Sequence, residues 1–166
     1  GIGVEFATVW SSYGTQVTIV EMLPRIIPLE DEEVSVELGK AFQKRGIQVL
    51  AGHKVLSVEK TEAGVTVKVS GPDGEKVLEA DQALMSIGFK PNSKGLGLEE
   101  LGVTIGPRGF VEVDERMATN VPGIWAIGDV TGKCLLAHVA SAMGVIAAEN
   151  IAGVETVTID YRMVPR

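Results

Sequence analysis

The sequence predicts an α/β fold with a doubly wound parallel sheet and an antiparallel meander. Short apolar, β-branched runs at 17–20 and 47–50 are typical of parallel strands that are buried on both faces. Helical spacing of apolar residues over 3–13, and again after Asp31, places a helix before each strand. Alternating apolar and polar residues then predict three antiparallel strands, at 54–59, 65–70 and 76–79.

The ends of the two helices carry recognisable signals. Gly14 ends the first helix, and Gly46 ends the second. Asp31 has the short acceptor side chain that caps a helix N terminus. The acidic run 30–33 therefore indicates the favourable first turn of a helix.

The second half of the chain predicts further elements of the same class. Apolar runs indicate buried strands at 82–88, 110–114 and 124–127, and a helix at 137–152. The intervening segment 90–109 is rich in Gly, Pro and Asn and predicts a linker.

The composition is that of a globular protein with room for one domain, or one domain and part of another. Of the 166 residues 45% are hydrophobic and 22% are charged. The net charge of −7 argues against a nucleic-acid partner, and no apolar run has the roughly 20 residues that span a bilayer. A single cysteine, Cys134, excludes an intrachain disulfide and argues against a zinc site, so no metal is expected.

Gly3 and Glu21 form the first candidate motif. In a Rossmann-type dinucleotide fold, the last glycine of the turn opens the helix, and an acid about 20 residues later accepts hydrogen bonds from the adenosine ribose. A carboxylate there repels a 2′-phosphate, which favours NAD over NADP. The alternatives are a glycine that merely starts a helix and a solvated acid at a strand end.

Asp129 belongs to the second motif, in which a predicted strand delivers an acid beside a helix that starts near 135–138. An aspartate accepts hydrogen bonds from the ribityl hydroxyls of a flavin. A helix N terminus stabilises the electron density that the pyrimidine carbonyl gains on reduction. The alternative is an aspartate that only caps a loop.

The two histidines have no partner acid at a suggestive spacing. We therefore expect a structural or backbone role for His138 and a solvated position for His53. The sequence predicts no catalytic residue of its own.

Three segments resemble the dihydrolipoyl dehydrogenases, flavin disulfide reductases that reoxidise the lipoyl groups of 2-oxo-acid dehydrogenase complexes. The resemblance runs the entire length, and LLAH followed by a helix and DYRMVPR points to this branch. The segments are GVEFATVWSSYGTQVTIVEMLPRIIPLEDEEV, IGFKPN and TNVPGIWAIGDVTGKCLLAHVASAMGVIAAENIAG.

The resemblance implies two sets of cofactor contacts. Glu5 would lie near the nicotinamide, Val55 would pack on the adenine, and Gly88 would let the backbone approach the dinucleotide. The implied NAD contacts are Gly1, Ile2, Gly3, Val4, Glu5, Glu21, Val55 and Gly88. The implied FAD contacts are Asp129, Leu135, Leu136, Ala137 and His138.

The resemblance also implies a domain plan for an internal piece of a longer enzyme. Residues 1–92 would be the NAD-binding domain without its first strand, and 93–153 the returning segment of an FAD-binding domain. Residues 154–166 would begin the link to a dimerisation domain. The redox cysteine pair and the catalytic His–Glu pair are not in this sequence, and Cys134 does not match a redox cysteine. The piece would be inactive alone.

The parent enzyme would be a homodimer acting on lipoyl domains, in the cytoplasm of a bacterium or in the mitochondrial matrix. Two alternatives stay open. One is another flavin disulfide reductase, such as a mercuric reductase or an NADH oxidase. The other is a stand-alone nucleotide-binding module.

Overall fold

A computed structural model describes residues 1–165, which divide into two compact units, Gly1–Ile87 and a second beginning at Gly88. The first unit contains α1 (Ile2–Ser12), β1 (Thr18–Glu21), α2 (Glu32–Lys44), β2 (Gln48–Ala51), β3 (Lys54–Thr61), β4 (Gly64–Gly71) and β5 (Gly74–Ala80). The second contains a 3₁₀ turn (Gly128–Thr131), α3 (Ala137–Ile151) and a second 3₁₀ turn (Tyr161–Met163). The predicted α/β class is confirmed.

Strands β1 and β2 form the predicted parallel pair, with Thr18 opposite Gln48 and Glu21 opposite Ala51. Apolar residues from the helices, the strands and the loop after β1 pack together into the core of this unit. Its buried members are Ala7, Ile26, Phe42 and Ile47. Helix α2 begins as predicted, because the Asp31 carboxylate accepts a hydrogen bond from the Glu33 amide at 2.8 Å.

The predicted meander is confirmed as an antiparallel sheet in the order β3-β4-β5. A register shift between Val55 and Ser57 marks a β-bulge in β3. Such a bulge bends the strand and re-aims the side chains beside it.

The predicted buried strand at 82–88 is wrong. This segment is irregular and exposed along its whole length, and Ile87 is 89% exposed. A strand of this composition needs hydrogen-bonded neighbours on both sides, and within residues 1–165 neither β1 nor β2 pairs with it.

The second unit packs around α3, which confirms the predicted helix. Its core cluster consists of Met117, Val139, Met143, Ile146 and Ala147. The predicted strands at 110–114 and 124–127 are wrong, because each run makes only one isolated bridge, Ile105–Val111 and Ala118–Trp125. Their backbone amides donate instead to separate loop carbonyls, for example Val111 to Val130 at 2.9 Å and Ala126 to Met117 at 3.1 Å. The Asp114 carboxylate holds the intervening turn, because it accepts from the amides of Arg116 and Ala118.

The predicted linker 90–109 is irregular, as expected, but parts of it are packed. Ser93 is only 1% exposed, and its hydroxyl donates a hydrogen bond to the Gly109 carbonyl at 2.6 Å. Val103 is also buried. This segment therefore forms a fixed wall of the second unit.

Candidate cofactor-binding sites

The N terminus of α1 is open in the first unit. Gly1 precedes the helix, and no side chain caps it. The Gly1 carbonyl accepts hydrogen bonds from the amides of Val4 (3.1 Å) and Glu5 (3.3 Å). The N–H groups at the start of a helix have no intrahelical partner, so those of Ile2 and Gly3 are available to an anion.

Gly3 lies where this helix passes close to another segment of the same unit. A Cβ added at Gly3 would be 3.5 Å from both Cβ and Oγ of Ser86, which is an ordinary contact. A methyl group would therefore fit here, but a larger side chain would meet Ser86.

Glu21 is the last residue of β1 and is half-buried. The short connection 13–17 turns the chain back after α1. The N terminus of α1 and the carboxyl end of β1 therefore lie at the same end of this helix–strand unit. One carboxylate oxygen of Glu21, Oε1, accepts from the Leu23 amide at 2.8 Å. Among the described residues no donor is found for Oε2, which leaves it for a ligand hydroxyl.

Val55 and Gly88 are the other two predicted contacts of the NAD set. Val55 lies beside the bulge in β3, and its apolar side chain is 42% exposed. Gly88 opens the second unit with φ +135°, a conformation that side-chain-bearing residues rarely adopt, and a Cβ there would meet nothing within 4 Å. Both positions offer unobstructed surface.

A cavity of about 350 Å³ lies within the second unit. Two predicted flavin contacts, Asp129 and Leu135, line it together. Sequence reasoning assigned no role to its other lining residues, although the IGFKPN segment supplies four of them. They are Phe89, Lys90, Pro91, Asn92, Phe110 and Val130.

The turn that carries Asp129 is anchored on α3. The Gly128 amide lies 3.2 Å from the Met143 sulfur, and the Thr131 hydroxyl donates to the Gly128 carbonyl at 2.8 Å. Gly128 has φ +71°, and a Cβ there would lie 3.2 Å from the Ala140 side chain. These contacts fix the backbone while the Asp129 side chain stays exposed.

The N terminus of α3 is also open. Leu136 precedes the helix in an extended conformation, and no side chain caps it. Leu136 packs against the core, whereas Ala137 and His138 are exposed in the first turn. The His138 ring nitrogen Nε2 is 3.2 Å from the Pro165 carbonyl oxygen. The predicted flavin residues thus continue from the cavity wall into the first turn of α3.

Comparison with known proteins identifies the family. The sequence profile of the pyridine nucleotide-disulphide oxidoreductases matches residues 1–144. The chain belongs to this family. It is 52% identical over 99% of its length to the dihydrolipoyl dehydrogenase of Mycobacterium leprae, and it spans 36% of that relative. Members of the family use FAD and NAD.

Solved structures show the same architecture. The LpdA crystal structure from Mycobacterium tuberculosis has a TM-score of 0.86 and 36% identity, covering 96% of this chain and 34% of that one. The water-forming NADH oxidase from Lactobacillus brevis, bound to NADH, has a TM-score of 0.81 and 27% identity, covering 95% and 36%. The chain therefore spans about a third of the relatives that it matches.

Cys134 packs against the core of the second unit. It is half-buried and packs against the cluster around Met143. Burial, and to a lesser degree the neighbouring Cys134, raises the pKa of Tyr161. A thiol in such packing behaves as a small apolar side chain.

The solvated position predicted for His53 is wrong. The ring is 7% exposed, and Nδ1 lies 2.8 Å from the Ala51 carbonyl oxygen. Sequence reasoning missed it because a histidine between two strands carries no signal of burial.

Residues 1–165 contain neither a candidate metal-binding cluster nor a helix that could span a membrane. No group of three or more His, Cys, Asp or Glu side chains is placed to hold a metal ion. No helix in this range is long and apolar enough to cross a bilayer.

Proposed function

We propose that the chain forms the NAD-binding region and part of the flavin site of a dihydrolipoyl dehydrogenase. Such an enzyme oxidises dihydrolipoamide on a lipoyl domain to lipoamide and reduces NAD⁺. The identity to the Mycobacterium leprae enzyme supports the lipoyl branch. The working protein is a homodimer, in the cytoplasm of a bacterium or in the mitochondrial matrix.

The first unit binds NAD through its open helix and the strand end beside it. The free N–H groups at the start of α1 hold the pyrophosphate. Glu21 accepts from the adenosine ribose through its unpaired oxygen, and its charge disfavours a 2′-phosphate. Val55 packs on the adenine, and Glu5 lies near the nicotinamide. The Gly1–Glu5 segment lets the backbone come close to the dinucleotide.

The second unit binds the flavin, and one observation carries this assignment: Asp129 and Leu135 line the same cavity. Asp129 accepts from ribityl hydroxyls. The open N terminus of α3, from Leu136 to His138, would offer its free N–H groups to the pyrimidine carbonyl of the flavin and stabilise negative charge on it. His138 contributes through its backbone, because no acid faces its ring among the described residues and its Nε2 meets only the Pro165 carbonyl.

The residues of this chain bind and orient the cofactors. The bound FAD and NAD supply the transfer of electrons from a thiol pair to the nicotinamide. The 166 residues contain one cysteine, so no thiol exchange is assigned to this chain. Residues 1–92 act as the NAD domain and 93–153 as the flavin segment. Residues 154–166 lead toward the dimer interface.

A chimera tests this function. This chain replaces the matching third of the Mycobacterium leprae relative, and FAD content and NAD⁺ reduction by dihydrolipoamide are measured. Glu21→Ala is expected to raise the KM for NAD⁺ about tenfold, because it removes a charged hydrogen-bond acceptor. The same variant is expected to prefer NAD⁺ over NADP⁺ less strongly. Asp129→Ala is expected to lower FAD content. Glu33→Ala, at an exposed acid on α2, is the matched control.

Two outcomes would overturn the proposal. One is a folded chimera that holds FAD but responds equally to Glu21→Ala and Glu33→Ala. The other is an isolated 166-residue chain that binds flavin tightly and stoichiometrically, because the proposal gives this chain only part of the flavin site. The isolated chain is expected to bind NAD weakly and to oxidise no dihydrolipoamide.

A further inference from the structure

His53 occupies the corner where the two sheets of the first unit meet. Gly52 and His53 form the two-residue connection between β2 and β3. The ring is buried, and its Nδ1 is within hydrogen-bond distance of the Ala51 carbonyl oxygen. Only a protonated nitrogen can donate to a carbonyl, so Nδ1 carries a proton. The side chain thereby closes the turn between the two strands.

The backbone of the same turn holds the end of β1. The His53 amide donates to the Glu21 carbonyl at 3.0 Å, and the Gly52 amide donates to the Leu23 carbonyl at 2.9 Å. The Leu23 amide in turn donates to the Glu21 carboxylate. The orientation of the Glu21 side chain therefore depends on the turn that His53 closes.

The ring also contacts the end of β4. A Cβ added at Gly71 would collide with Cδ2 and Nε2 of the His53 ring and would lie 2.7 Å from its Cγ. The ring thus lies directly against the Gly71 backbone, which pairs with β5 on one side and continues the strand that pairs with β3 on the other. Through this contact the corner is tied to the strand pair that carries Val55.

The imidazole is not explained by packing alone. Its Nε2 is buried and has no hydrogen-bond partner among the described residues. A buried polar atom without a partner costs stability. An apolar side chain of similar size would fill the corner without that cost. The Nδ1–H bond to Ala51 is the feature that only a donor side chain can supply.

We propose that His53 is a positioning residue for the adenosine half of the NAD site. It fixes Glu21, the ribose acceptor, relative to Val55, the adenine contact, by joining the end of β1 to the β3–β4 pair. This inference rests on the proposed NAD site. It assigns His53 no contact with the nucleotide.

The test uses the 166-residue chain and three probes: NADH, AMP and nicotinamide mononucleotide, each titrated by NMR so that millimolar affinities are measurable. His53→Leu fills the corner but removes the donor. It is expected to weaken NADH and AMP binding about three- to tenfold, the range of one lost hydrogen bond, and to leave nicotinamide mononucleotide binding unchanged. His53→Asn, whose amide can donate to the Ala51 carbonyl, is expected to restore most of the loss.

Phe42→Leu serves as the stability control. Phe42 is buried in the core of the same unit, so this variant lowers stability without touching the corner. A purely structural role for His53 predicts that His53→Leu and Phe42→Leu behave alike, with no difference between AMP and nicotinamide mononucleotide. That result would overturn the inference and leave the proposed function standing.

Gly71→Ala gives an independent arm. In the wild-type background its methyl group displaces the ring and is expected to reproduce the loss of AMP affinity. In a His53→Ala background the methyl group has space, so Gly71→Ala is expected to cause no further loss of AMP affinity. If Gly71→Ala and His53→Ala instead lowered AMP affinity additively, that result would contradict the contact between His53 and Gly71 on which the inference depends. If the wild-type chain binds neither NADH nor AMP, the proposed NAD site itself fails, and the inference falls with it.

Discussion

The three α-helices within residues 1–165 begin in two different ways. Helix α2 is closed by the Asp31 carboxylate and has Glu32 and Glu33 in its first turn. Helices α1 and α3 begin without any side-chain cap, after Gly1 and Leu136. Relative to a capping side chain, an apolar N-cap such as Leu136 costs a helix about 1 kcal/mol and a glycine such as Gly1 a few tenths of that, and the two open ends coincide with the two predicted cofactor sites. The cap therefore stabilises the start of α2, while the uncapped starts of α1 and α3 leave N–H groups free for a ligand.

The largest expected effect concerns how the open end of α3 is supported. Met143 is fully buried, and its sulfur lies beside the Gly128 amide. Met143→Ala is expected to lower the free energy of unfolding by about 2–5 kcal/mol, because it leaves a cavity under the Asp129 turn. Val145, on the same helix, is 58% exposed, and Val145→Ala should cost far less. Urea denaturation of the two variants checks this, and equal losses would show that α3 is not held through Met143.

The second prediction compares two glycines to separate the cost of backbone strain from the cost of a steric clash beside the cavity in the second unit. Gly132 has φ +66°, and a Cβ there would lie 2.6 Å from the Phe110 ring, which lines the cavity. Gly153 has φ +70° and open space around it. Gly153→Ala should cost about 1–2 kcal/mol from the left-handed backbone alone. Gly132→Ala should cost more and displace Phe110. Thermal unfolding measures both variants, and the same loss in each would mean that Phe110 moves aside freely.

A third experiment closes the open end of α1. Gly1→Asp supplies a cap and a negative charge where the pyrophosphate is expected. The stability should rise by a few tenths of a kcal/mol, while affinity for NADH falls about tenfold because like charges repel. Gly1→Asn supplies a cap without a charge, so it should lower the affinity for NADH less than Gly1→Asp does. An unchanged NADH affinity in Gly1→Asp would place the anion site elsewhere.

The converse experiment opens the closed end of α2. Asp31→Ala should lower the free energy of unfolding by about 1 kcal/mol and leave NADH affinity unchanged. Glu30→Ala removes a neighbouring exposed acid that caps nothing and serves as the control. If Asp31→Ala weakened NADH binding as Gly1→Asp does, the distinction between the helices would collapse.

The smallest expected effect concerns a second capped element, the turn Tyr161–Met163. The side-chain and backbone hydrogen bonds from Arg162 lower the pKa of Asp160 below its ordinary value. A lowered carboxyl pKa means that the ionised form stabilises the fold. This contribution is present above the ordinary pKa of the carboxyl and is lost as the pH falls through its lowered value. Because Asp160 is exposed, the effect is small. An NMR titration of the Asp160 carboxyl in wild type and Arg162→Ala should show the pKa rising in the variant, and an unchanged pKa would contradict the cap.

Local signals were sufficient to predict most of the first unit. Asp31, Gly46 and the short β-branched runs lie within the elements they specify, so propensity and periodicity determine them. The alternation in β3, β4 and β5 likewise predicts a meander, because hairpins are local. The segment 82–88 failed for the opposite reason. Its apolar side chains indicate a buried strand, but burial depends on neighbours that the run itself does not encode.

The candidate sites divide in the same way. The start of α3 at Ala137, close to Asp129 in the sequence, was predictable because helix starts have sequence signatures, whereas the strand expected before Asp129 does not form. The place of Phe110 in the cavity wall and the burial of Ser93 were not predictable, because both depend on segments distant in sequence; Ser93, for example, bonds to Gly109, 16 residues away. His53 was missed because its burial results from a glycine, Gly71, in a strand two elements away.

The difference between open and capped helices is tested most directly by amide NMR of the ¹⁵N-labelled chain during titration with NADH. The predicted result is a set of saturating shifts at Ile2, Gly3 and Val4, with smaller shifts at Glu21 and Val55 and none at Glu32 and Glu33. Shifts at the start of α2 equal to those at the start of α1, or none at α1, would contradict the assignment of the open helix to the nucleotide.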